Sequence, residues 1–204
     1  MIKNNYPGKF IVLEGLDGAG KSTQSRLIAQ NFGRSGKNVF ITGEPTEGLI
    51  GQMARRRLRG EWECRPECLQ LLFAADRACH LEKEILPRLR EGILVVSDRY
   101  FLSSLAYGAV NCDLEWLAQI NSRFLAPDLT IYLDVPAHVC AQRIINDKKS
   151  IELFERVEIL EIVGQNYNKA IRMFEDQMKI AVVGGNQNKE KVFAGIKKSL
   201  KIKN

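Results

Sequence analysis

The sequence predicts an α/β fold in which helices flank both faces of a mostly parallel sheet. Three observations carry that expectation. Five short runs rich in β-branched and aliphatic residues recur along the 204 residues, longer helical patterns separate them, and several of the runs are continuously apolar. Continuous apolarity is what a strand covered on both faces requires. Alternation of such strands with helices implies parallel pairing through right-handed crossovers.

In chain order, the first strand is Phe10–Leu13 (FIVL), followed by a helix near 21–33. The second strand is Val39–Thr42 (VFIT), and a long helical pattern near 67–90 separates it from a third at Ile93–Ser97 (ILVVS). Helices near 113–122, 136–146, 150–174 and 188–200 surround the last two strands, Leu129–Leu133 (LTIYL) and Ile180–Val183 (IAVV). No internal repeat or low-complexity linker interrupts the series, so one domain spanning 1–204 is expected. Ligands of such sheets gather at the carboxyl ends of the strands. That directs attention to Glu14–Ser22, Gly43–Glu47, Asp98–Tyr100, Asp134–Pro136 and Gly184–Asn186.

Composition narrows the functional classes. Hydrophobic residues make up 45% and charged residues 26%, as in an ordinary globular protein. No apolar run reaches the roughly 20 residues of a membrane span, and the N-terminus MIKNNYPGKF has no signal-peptide core. The net charge of +6 is concentrated at the end, where Lys189–Asn204 holds six lysines against one glutamate. With a single aromatic, Phe193, among its lysines, that segment reads as a solvated helix face rather than a nucleic-acid tail. The five cysteines (64, 68, 79, 112 and 140) are irregularly spaced, complete no zinc set, and read as free thiols in a reducing cytoplasm. Neither histidine, His80 or His138, has a recognisable catalytic setting.

The densest chemical signal follows the first strand. In VLEGLDGAGKST the spacing Gly15-x4-Gly20-Lys21-Ser22 is a P-loop pattern leading into a helix. Backbone amides of such a turn cradle phosphate oxygens at the positive end of the helix. Lys21 would meet the β- and γ-phosphates, and the Ser22 hydroxyl would ligate Mg²⁺. Asp98, directly after the third strand, faces the same crevice. It either holds that metal, directly or through water, with Arg99 bridging donor and acceptor phosphates, or forms a local Asp–Arg surface pair.

Around these residues the chain resembles the thymidylate kinases. FIVLEGLDGAGKSTQ, EPTEG, LLFAADRACH, DRYFLSSLAYG and PDLTIYLDVP occur in the family's order and spacing. The resemblance implies a P-loop kinase fold with a five-stranded parallel sheet and a short lid at about 144–153, a homodimer, and Mg²⁺-dependent transfer of the γ-phosphate of ATP to dTMP. It implies that Gly15, Leu16, Asp17, Gly18, Ala19, Gly20, Lys21, Ser22 and Thr23 bind ATP. For Arg143 an adenine stack and a solvated helix arginine stand equally. It further implies dTMP contacts from Asp17, Arg55, Phe73, Arg77, Arg99, Ser104 and Tyr107: Phe73 stacking on thymine, Arg77 hydrogen-bonding it, Tyr107 excluding a 2′-hydroxyl. Lys21, Arg99, Asp98 and Glu14 form the catalytic group, Glu14 orienting Arg99 or a metal-bound water. No nucleic acid or membrane partner is expected.

Three departures qualify the match. Gly43 stands where the family commonly has arginine before Glu-Pro, and Gly108 stands for the glutamine of AYQ, weakening the case for thymine over uracil. The lid offers Lys148 and Lys149, or Arg156 from the next helix, in place of the expected arginines. These departures keep two alternatives open: a related kinase acting on dUMP or another deoxynucleoside monophosphate, and a nucleotide-binding sensor with little catalysis.

Overall fold

The computed structural model describes residues 1–147, 153–154 and 156–200. Five strands form one parallel sheet in the order β2-β3-β1-β4-β5. They are β1 (Phe10–Glu14), β2 (Val39–Gly43), β3 (Leu94–Asp98), β4 (Leu129–Asp134) and β5 (Ile180–Gly184). The central strand β1 is buried along its whole length, which its uninterrupted FIVL run anticipates. The same signal misleads at the edges. Ile41 on β2 is 41% exposed and Val182 on β5 is 60% exposed, because an edge strand has a neighbour on one side only.

Helices α1 (Lys21–Gly33), α3 (Pro66–His80), α6 (Leu114–Asn121), α7 (Ala137–Asp147), α8 (Val157–Phe174) and α9 (Lys189–Ser199) match expected segments. Two further helices emerge, α2 (Leu49–Leu58) and α5 (Phe101–Gly108). The long pattern at 67–90 is not one uniform helix. A π-helical turn at Leu81–Ile85 links α3 to α4 (Leu86–Arg90). Pro87, which lacks an amide to continue the α-helical ladder, follows that turn. The first four residues of the expected lid belong to α7.

Register fixes where the chemistry gathers. Leu13 pairs with Asp98 and Gly43 pairs with the same residue from the other side. The carboxyl ends of β1, β2 and β3 therefore lie side by side, and the loops that leave them share one rim.

Candidate active site

The loop after β1 is shaped by three glycines with positive φ: Gly15 (146°), Gly18 (77°) and Gly20 (93°). A side chain at Gly18 would place its Cβ 2.6 Å from the Cys140 carbonyl oxygen, so α7 packs directly on the loop. Leu16 and Ala19 are buried and anchor the turn in the core. Lys21 folds back, its Nζ donating to the carbonyls of Gly15 (3.1 Å) and Leu16 (2.8 Å). Burial lowers its pKa, and the positive charge of Arg99 adds to that effect. An anion in the loop would relieve both.

Opposite the loop, the Ser22 hydroxyl donates to Asp98 Oδ2 at 2.6 Å. Asp98 is thus engaged with the loop, not confined to a pair with Arg99. The donor set is hard oxygen, suited to Mg²⁺, which takes one or two protein oxygens and completes its shell with phosphate and water. Among the described residues no group of three His, Cys, Asp or Glu side chains gathers to hold a metal alone.

Arg99 is the only described non-glycine residue with positive φ (72°). That unfavourable conformation makes the sharp corner from β3 into α5. Its guanidinium donates to Asp17 Oδ1 (2.6 Å), the Tyr107 hydroxyl (3.1 Å) and Ser103 Oγ (2.8 Å). Tyr107 in turn donates to Asp17 Oδ2 at 2.9 Å. Burial opposes the Asp17 charge, but Arg99 and then Lys21 overcome it and hold the carboxyl below the usual range. Burial likewise works against Arg99, and the Asp17 carboxylate together with Tyr107, Tyr167 and Asp98 outweighs it, keeping the guanidinium charged.

Glu14 is buried outside the lining of the cleft. Fully buried, it accepts from the amides of Tyr100 (3.0 Å) and Ser103 (3.2 Å), from Ser103 Oγ (2.5 Å) and from the Tyr167 hydroxyl (3.0 Å). These amides open α5, whose own first residues offer no capping side chain. Glu14 is therefore the remote cap of that helix. It reaches Arg99 through the Ser103 and Tyr167 hydroxyls, which accept from Arg99 Nη1 at 2.8 and 3.4 Å, and it is not among the residues that line the cleft.

Across a cleft of about 1030 Å³, Phe73 and Arg77 line the same space as Lys21 and Arg99. Four residues apart on α3, they share one helical face. Arg77 is nearly inaccessible, with Nε and Nη2 held by Glu44 Oε2 (2.9 and 2.7 Å), Nη2 also on Ser104 Oγ (3.0 Å) and Nη1 on Asn121 Oδ1. Glu44 is steadied by His80 Nδ1 at 3.1 Å, and His80 Nε2 meets Thr42 Oγ1 at 2.7 Å. Asp76 fixes the EPT loop by accepting from the Thr46 amide and hydroxyl. Arg55, which also lines the cleft, donates to the carbonyls of Pro45 and Thr46 and pairs with Glu47. Glu44, Asp76, His80 and Asn121 escaped the sequence reading. Asp76 lay within LLFAADR, while Asn121 carries no local signal at all.

Arg143 donates to the Gly18 carbonyl at 3.1 Å and lines the cleft, which places it on the loop rather than free in solvent. Phe154 packs edge-on against Tyr107. Arg156 is exposed at the start of α8 and is not among the cleft's described walls; Lys148 and Lys149 lie outside the described residues. Gly43 has a steric reason: its Cβ would lie 2.9 Å from the Asp98 carbonyl oxygen.

Comparison with known proteins agrees with this geometry. The family model for thymidylate kinase matches residues 13–196. A probable thymidylate kinase of Pyrococcus horikoshii is 46% identical over 168 residues, spanning 79% of this chain and 82% of the relative. One from Thermococcus onnurineus is 46% identical over 169 residues, 78% of this chain and 82% of the relative. A thymidylate kinase of Desulfotalea psychrophila is 40% identical over 168 residues, 81% and 83% of the two chains. With five parallel strands, a glycine-rich phosphate loop and matches over most of its length, the chain belongs to the thymidylate kinase family.

Proposed function

We propose that this protein transfers the γ-phosphoryl group of ATP to the 5′-phosphate of dTMP, yielding dTDP and ADP, with Mg²⁺ as cofactor. One observation carries the assignment. A single cleft joins the loop and Lys21 to the Phe73–Arg77 face, with Asp17 and Arg99 in its lining. A donor phosphate on the loop and a pyrimidine on α3 would meet tail to tail.

In this reading an oxygen of the dTMP phosphate attacks the γ-phosphorus while the bond to the β,γ-bridging oxygen breaks. The acceptor is already anionic at neutral pH, so the protein's task is alignment and charge neutralisation. Lys21 leaves the loop carbonyls for the β- and γ-phosphates, and the loop amides hold their oxygens. Arg99, charged and clamped by Asp17 and Tyr107, neutralises the transferring group. Ser22 and Asp98 would hold Mg²⁺, which supplies charge neutralisation at the phosphates. Phe73 stacks on the base, Arg77 and Ser104 hydrogen-bond it, Arg55 meets the acceptor phosphate and Arg143 lies against adenine. Tyr107, its hydroxyl committed to Asp17 and Arg99, closes the space a 2′-hydroxyl would need. We further read the chain as one domain and a homodimer, and as cytoplasmic because its five cysteines are free thiols.

The test is an ADP-release assay with ATP, Mg²⁺ and a panel of monophosphates. Turnover of dTMP well above that of its ribo-analogue and of dCMP supports the assignment. Binding without turnover, or faster turnover of a different acceptor, rejects it.

A further inference from the structure

We propose that Gln70 reads the base edge, in place of the side chain that position 108 lacks. The inference rests on dTMP being the acceptor, and begins with why residue 108 is glycine. Gly108 lies within helix α5 and has no positive φ, so its backbone does not demand glycine. Its neighbours do. An added Cβ would stand 2.9 Å from both Cδ and Oε1 of Gln70, and 2.9 Å from Leu117 Cδ1. The volume that a side chain on α5 would occupy holds an amide sent from α3.

That amide is incomplete. Gln70 is 3% exposed, and its Oε1 is buried with no hydrogen-bond partner. A buried unpaired acceptor is costly, and one kept beside a binding site is explained when a ligand completes it. Gln70, Phe73 and Arg77 fall at i, i+3 and i+7, on one stripe of α3. Arg77 donates to Ser104, one turn before Gly108 on α5; both Arg77 and Ser104 line the cleft, while the Gln70 amide is buried outside its lining.

The donor pattern selects a base. Of the five guanidinium N–H groups of Arg77, four serve Glu44, Ser104 and Asn121, which leaves one on Nη1 for a ligand acceptor. Two turns back along the same stripe of α3, Gln70 Oε1 offers an acceptor. Thymine and uracil match that pair with the O4 carbonyl and the N3–H donor. Cytosine opposes it, with an amino group toward Arg77 and a lone pair at N3 toward Gln70. Discrimination against cytosine therefore comes from α3.

Kinetics and thermal melting of the full chain test this with Gln70→Leu, close in volume, and with the double variant Gln70→Ala/Gly108→Gln. Gln70→Leu removes an unpaired acceptor, so without nucleotide it should melt no lower than the wild type. Its KM for dTMP should rise about tenfold to a hundredfold, with kcat and KM for ATP within about twofold, and its preference for dTMP over dCMP should fall by the same factor. The double variant should recover most of the dTMP affinity by supplying the amide from α5. Wild-type KM and base preference in Gln70→Leu overturn the proposal, as does a folded double variant no better than Gln70→Leu. A loss shared equally by dTMP and ATP, with a lower melting temperature, marks a packing role and overturns it too. Absence of dTMP turnover in the wild type overturns the acceptor assignment and this inference together; dTMP turnover indifferent to Gln70 overturns this inference alone.

Discussion

Removing Glu14 tests whether the corner carrying Arg99 is held from within the sheet. In Glu14→Ala four donors lose their acceptor: the amides of Tyr100 and Ser103 and the hydroxyls of Ser103 and Tyr167. The hydroxyls can re-aim, since Ser103 Oγ and the Tyr167 hydroxyl are already 2.8 Å apart and Tyr167 reaches the Gly15 carbonyl at 3.3 Å. The two amides cannot. At about 1–3 kcal/mol per stranded donor, with a cavity added, the loss should be about 3–5 kcal/mol. That is a large share of a typical domain stability of roughly 5–15 kcal/mol. Glu14→Gln retains an acceptor for the amides and should lose only about 1–2 kcal/mol.

The two forms should also separate with pH. Burial raises the Glu14 carboxyl above its ordinary value, against the pull of Ser103, Arg99 and Tyr167. The folded protein then binds that proton more tightly than the unfolded chain. The stability so gained is full below the ordinary value and is lost as pH rises toward the raised one. Glutamine has no such slope, so the gap between wild type and Glu14→Gln should narrow as pH climbs from about 4.5. Urea denaturation across that range measures both effects. Glu14→Ala within about 1 kcal/mol of wild type, or a gap indifferent to pH, would refute the capping argument.

Arg99→Ala should lower kcat by about a thousandfold with little change in KM for ATP, and near-normal turnover by initial rates would remove Arg99 from the transfer step. Gly43→Ala forces a Cβ against the Asp98 carbonyl that accepts from the Glu44 amide. It should cost about 1–3 kcal/mol in denaturation and raise the Mg²⁺ concentration needed for half-maximal rate. His80→Ala frees Glu44 behind Arg77, so KM for dTMP should rise about fivefold while kcat changes less than about twofold. An unchanged KM for dTMP would show that Arg77 needs no such support.

The phosphate loop was legible because its requirements are local: glycines where φ is positive, a lysine and a hydroxyl at fixed offsets. The Phe73–Arg77 pair was legible for a related reason, since four residues on a helix place two side chains on one face. Helix α5 was not. All eight of its residues are buried, so FLSSLAYG lacks the polar face that gives a helix its period, and its cap comes from Glu14 on another element. The setting of His80 was hidden in the same way. Its partners Thr42, Glu44 and Glu84 come from β2, the loop after it and the π turn. Sequence spacing cannot show contacts that tertiary packing creates.

The two glycine departures show what this means for reading a site. Taken one position at a time, Gly43 and Gly108 look like lost side chains. In the structure each is explained by the neighbour standing in the vacated volume, Asp98 for one and Gln70 for the other. Gly20 is different in kind, because an added Cβ would meet nothing within 4 Å and only its φ of 93° requires glycine. Shortening a neighbour cannot rescue a side chain at Gly20, whereas shortening Gln70 clears two of the three contacts that crowd position 108. The loop glycine thus answers to backbone geometry, and the other two answer to particular partners. A substitution at either partnered position has to be judged as a pair.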